Sequence, residues 1–166
     1  MRYLMIGVAL AAVSVAAAGQ TQSWAYFEQE GQPLQAGVVN ADGAQLILKC
    51  DKPGKDEVYA VVVTREALVP PTANAPFSNR PVEYRFDTKA PVEDRWRFYL
   101  NSAVAIDKRP TKALTRFLQE MTGATKLHVR LHPDHTHSVE ATFDVGGAGD
   151  AVGRVYDSCK DELPAG

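Results

Sequence analysis

The stretch "VEYRFDTKAPVEDRWRFYL", residues 82–100, decides the fold. Val82, Tyr84 and Phe86 alternate with Glu83, Arg85 and Asp87. Trp96, Phe98 and Leu100 then alternate with Arg95 and Arg97. A period of two marks a strand with one face in a core and the other in water. The connection "TKAPVE" is short, so the two runs predict an antiparallel hairpin with its charges outward.

The same period extends on both sides. "LILKC" (46–50) turns Leu46, Leu48 and Cys50 one way and Ile47 and Lys49 the other. "KPGK" (52–55) is turn chemistry, and "VYAVVV" (58–63) is apolar on both faces, which predicts a central, covered strand. Residues 70–81 hold four of the ten prolines and predict a surface loop. Ahead of these, "WAYFEQ" and "AGVVN" are weaker strand candidates.

Past residue 110 the period changes. Ala113, Leu114, Phe117, Leu118 and Met121 recur at helical spacing, with Thr111 placed to cap the start and Gly123 to end the helix. "KLHVRL" and "SVEATFDV" return to alternation. After "GGAG", Asp150 is placed to cap a last helix carrying Ala151, Val152, Val155, Tyr156 and Cys159 on one stripe. The expected class is α+β: a mainly antiparallel, sandwich-like β-sheet with one inserted helix and a C-terminal helix.

The first residues read differently. One arginine precedes an apolar run from Leu4 to Val15, and Ala16-Ala17-Ala18 fits the small-residue pattern of a signal-peptide cleavage site. The run falls short of the roughly 20 residues a spanning helix needs. Residues 1–18 are expected to be a cleaved secretory leader, with 19–166 a single periplasmic domain that no longer inserts in a membrane. The alternative is an uncleaved anchor. A net charge of −2 gives no positive excess for holding nucleic acid.

Cys50 and Cys159 are the two cysteines. In an exported chain such a pair most simply forms one disulfide, and both fall on apolar faces that can share a core. Two buried free thiols are the alternative.

In order and spacing these pieces resemble the VasI/TagO-like family of small exported bacterial proteins that accompany type VI secretion clusters. The matching pieces are "LILKC", "VY" (58–59), "VEYRFD", Trp96, "FLQEM", "LHVRLHP", "ATFDVGG", "AV" (151–152) and Cys159, spanning Gln45 to Cys159. The resemblance implies a non-enzymatic accessory role beside a secretion machine. The partner would be a protein of that machine or of the envelope, with no cofactor and no catalytic residue.

Two candidate sites remain. All four histidines, His128, His132, His135 and His137, fall in "HVRLHPDHTH". His128 and His132 sit about 13 Å apart on one strand, too far to share an ion. His132, His135 and His137 can approach across the turn, with Asp134 adding an oxygen, as a loose zinc, nickel or copper site. A metal-binding protein built on this hairpin is the alternative function; the plainer reading is a solvated turn. Arg85, Asp87, Arg95 and Arg97 form the second candidate, an outward charged face that either pairs across strands or docks a partner. Hydrolase chemistry finds no frame. Ser138 and Ser158 lack a nucleophile elbow, "GGAGDAVG" lacks the Gly-Lys-Ser/Thr of a P-loop, and Glu93 and Asp94 point apart.

Overall fold

The computed structural model describes residues 24–69, 77–108 and 111–164. The expected leader and its cleavage point lie outside the described residues, as does most of the proline-rich stretch.

In chain order the elements are β1 (Ala25–Phe27), β2 (Gln35–Val39), β3 (Gln45–Cys50), β4 (Val58–Val63), β5 (Ser78–Phe86), β6 (Val92–Tyr99) and β7 (Ser102–Ala105). After them come β8 (Asp107–Lys108), β9 (Thr111–Lys112), α1 (Ala113–Met121), β10 (Lys126–Leu131), β11 (Val139–Asp144) and α2 (Ala148–Cys159). The α+β class holds. Among the described residues the long strands join one antiparallel sheet, in the order β1-β2-β3-β4-β7-β6-β5-β10-β11, while β8 and β9 pair separately. The expected sandwich-like layering is therefore not two opposed sheets. Seven strand steps separate β2 from β11, about 34 Å if the sheet were flat. Yet their Cα atoms come within 8 Å. The sheet curls until its ends nearly meet, and both helices share the core with its concave face.

Alternation sets which side chains fill that core. Tyr84, Phe86, Trp96 and Phe98 are all essentially buried, and Phe117 of α1 drops among them. Its ring lies 5.1 Å from Trp96 and 5.2 Å from Tyr84, both edge-on, the geometry aromatic quadrupoles prefer. Asp94 also points inward. Its carboxylate meets Arg116 of α1 at 2.6 Å and fixes the helix over β6. α2 covers β2, β3 and β4 with Ala151, Val152, Val155, Tyr156 and Cys159, the stripe read from the sequence.

Several local expectations change. Thr111 does not cap α1; its hydroxyl donates to the Lys108 carbonyl in the β8–β9 hairpin. Asp107 accepts from the Thr115 amide instead, at 3.0 Å, and from its hydroxyl. α2 begins at Ala148, not Asp150, behind Gly147 at φ 81°, a left-handed entry that glycine adopts freely. Asp150 sits in the first turn and accepts from the Tyr26 hydroxyl. Leu100 does not point inward. It turns at φ 50°, more than a third exposed, and its carbonyl accepts from Leu68 and Val69. Residues 78–81 belong to β5 rather than to the proline-rich loop. Pro81 is tolerated there because its carbonyl, which accepts from His132, faces the β10 side just past the end of that ladder. A strand residue's nitrogen faces the same side as its carbonyl, so the β5–β6 ladder loses no bond and only the return bond to the His132 carbonyl goes unmade.

Candidate functional site

The sheet's outer face divides into two regions. Across β5, β10 and β11 it is polar: Arg130 bonds Glu140 at 2.7 Å and Glu83 at 3.2 Å, and His128 Nδ1 lies 2.9 Å from the Thr142 hydroxyl. Across β3, β4, β7 and β6 it is largely apolar. The register sets Ile47 beside Val61, Val61 beside Val104, and Val104 beside Arg97. Tyr99 and Phe77 flank this row, 48% and 40% exposed.

Val104, Arg97, Tyr99 and Phe77 line an open groove of about 460 Å³. Val104 and Ile106 belong to its apolar wall with Tyr59, Phe77 and Tyr99. Asp51, Asp56, Glu57 and Asp107 add carboxylates, and Arg97 adds a cation. Three interactions fix the acidic loop. Gly54, at φ 70°, donates its amide to the Cys159 carbonyl at 2.7 Å. The Asp161 carboxylate accepts from the Asp56 and Glu57 amides, each at 3.1 Å. Tyr59 donates its hydroxyl to Asp51 at 2.7 Å. Burial first, then Asp51, pushes the Tyr59 phenol well above its ordinary range, so it stays a donor. Cations already rest on two of the rings: Arg97 lies 4.6 Å from the Phe77 centroid and Lys49 lies 5.2 Å from that of Tyr59. A smaller groove of about 210 Å³ adjoins it, sharing Asp56, Val58 and Asp107 and adding Lys112, Tyr156, Asp161 and Glu162. The arrangement suits binding: flat aromatic area, an apolar floor and fixed charges.

The sequence-predicted sites fare unequally. Cys50 and Cys159 are joined in a disulfide, Cα atoms 6.0 Å apart, tying the end of β3 to the end of α2. Among the described residues the three hairpin imidazoles are not gathered within 4.8 Å of one another. The His132 amide is tied to Pro81, the His137 ring lies 3.7 Å from Glu66, and His135 is exposed. Asp134 is occupied by the Thr136 amide and hydroxyl and by the His137 amide. These bonds, the Thr136 amide first, hold its carboxyl below the usual range.

The four residues of the charged face do not make one patch either. Asp87 leaves the strand at φ 50° and accepts from the Thr125 hydroxyl and amide and the Lys126 amide, which lowers its pKa. Arg95 pairs in register with Pro81, four residues and about 13 Å along β5 from Arg85. Arg97 alone joins the groove. Ser158 accepts from the Leu34 amide at 2.8 Å, a structural duty.

Sequence reasoning missed Phe77, Tyr99 and the groove. The available signal was "VYAVVV": apolar residues on both faces implied cover on both. Tyr59 and Val63 on the outer face are not fully covered, so the same signal also fits a surface. No family model matches this sequence, and neither the curated proteins nor the solved structures contain a significant match to it.

Proposed function

We propose that this chain is a non-enzymatic docking protein of the bacterial envelope, exported to the periplasm with its leader cut near Ala18/Gly19, and an accessory of type VI secretion. The observation that carries the docking reading is the aromatic groove on the outer face of β4, β7 and β6. Exposed aromatic area beside an apolar floor is what partner surfaces use, because each ring buries much area at little entropic cost. The disulfide suits an oxidising compartment, and the VasI/TagO-like resemblance supplies the pathway.

The test places a photo-crosslinking residue at Tyr99 and, as control, at Thr142 on the polar region of the same face. Expressed in its own cell, the Tyr99 variant should give a discrete protein adduct that the Thr142 variant lacks. Equal labelling at both positions, or none at Tyr99, would remove the groove as the docking surface.

A further inference from the structure

We infer that the segment this groove takes is cationic and extended: a stretch of protein presenting lysine or arginine side chains between apolar ones. The inference rests on the docking reading above and specifies its chemistry. The two grooves share Asp56, Val58 and Asp107, so they run as one track. Along it stand six carboxylates, those of Asp51, Asp56, Glu57, Asp107, Asp161 and Glu162, against two lining cations, Arg97 and Lys112.

Lys49 and Lys52 reach in from the flanks, each 3.6 Å from its partner, Asp51 and Glu57. Such exposed pairs are weak, and an incoming cation can replace them. Asp161 and Asp107 are held by amides and by Thr115, so their charge cannot swing away. Carboxylates fixed beside aromatic faces favour a cation over a neutral guest. Arg97 at the opposite end stacks on Phe77 and repels a second cation there. The track therefore has a direction: cation toward Asp56 and Glu57, apolar side chain toward Val104 and Ile106.

The experiment is fluorescence anisotropy on the oxidised mature protein with two labelled heptapeptides, one alternating lysine with valine and one alternating glutamate with valine. The lysine peptide should bind saturably at one site and weaken about tenfold between low and high salt, as screening requires. The triple change Asp51→Asn, Asp56→Asn and Glu57→Gln should weaken it by a similar factor, and so should Tyr99→Ser alone. Glu140→Gln, on the polar region, should change nothing. Asn at position 56 keeps the left-handed backbone, and circular dichroism checks the fold. If the triple variant unfolds, Glu57→Gln alone and the salt series decide.

Equal or tighter binding of the glutamate peptide would overturn the inference. So would lysine-peptide binding indifferent to salt and to Glu57→Gln, or self-association at the groove without peptide binding. A Tyr99 crosslink that survives the triple change would sink the cationic assignment and leave the docking reading standing.

Discussion

The β5–β6 region under α1 and the β2–β4 region under α2 share one sheet and one core but are held by different means. Under α1 the contact is aromatic: Phe117 seated among Tyr84, Phe86 and Trp96, with Asp94–Arg116 at its margin. Under α2 the side chains are smaller, Ala36, Leu46, Leu48 and Ala60 facing Ala151, Val152 and Val155, and a covalent tether closes the end. Aromatic rings supply area and orientation at once. Small aliphatic side chains supply less area each, and there the disulfide restricts the unfolded chain instead.

The largest effect should come from breaking the aromatic side. Phe117→Ala opens a cavity in a site with no exposure and should cost about 3–5 kcal/mol, read by chemical denaturation; a loss under 1 kcal/mol would mean the cluster is dispensable. Cys50→Ala with Cys159→Ala comes next. A closed loop this long gives up to about 4.7 kcal/mol in the chain-entropy model. The comparison sharpens if amide exchange in the double variant rises first in α2 and β3 while α1 and β6 stay protected; uniform loss would erase the distinction.

A smaller effect depends on pH and arises on β10, beside the β5–β6 region. Burial first, then the Arg85 and Lys126 charges, lowers the His128 pKa below 6.5 in the folded chain. The unfolded chain then takes the proton first as pH falls. His128 thus adds full stability above pH 6.5, and that share is lost as pH drops toward the folded-state value. His128→Gln should flatten the stability profile below pH 6.5; an unchanged slope would rule this group out. The smallest expected signal is at the histidine hairpin. Calorimetric titration of zinc into chelator-treated protein should show only weak binding, further reduced in a His132/His135/His137 triple-alanine variant. Sub-micromolar stoichiometric binding lost in that variant would promote the metal reading.

Local pattern made much of this legible. Alternation in 82–87 and 94–98 placed Tyr84, Phe86, Trp96 and Phe98 in the core, helical spacing placed Phe117 and Met121, and both cysteines fell on faces that meet. What stayed hidden depends on partners distant in sequence. Nothing in "SAVA" says that β7 slots between β4 and β6, because strand order is set by packing rather than by period. Asp87 looked like one more outward charge, yet its role is fixed by Thr125 and Lys126. The groove was hidden for a related reason. Apolar residues on both faces of a strand read the same whether the second face is roofed by the fold or left for another molecule.

The packing of α2 against the N-terminal strands has a kinetic consequence. The Leu34 amide waits for Ser158 and the Tyr26 hydroxyl for Asp150, each 124 residues further on. Such high contact order slows folding toward the millisecond-to-second range of β-rich domains. A chain emerging from its N-terminus cannot complete the β2–β4 region until α2 has arrived. Until then the apolar face that α2 covers stays open, the state in which a nascent polypeptide is most open to chaperones and proteases.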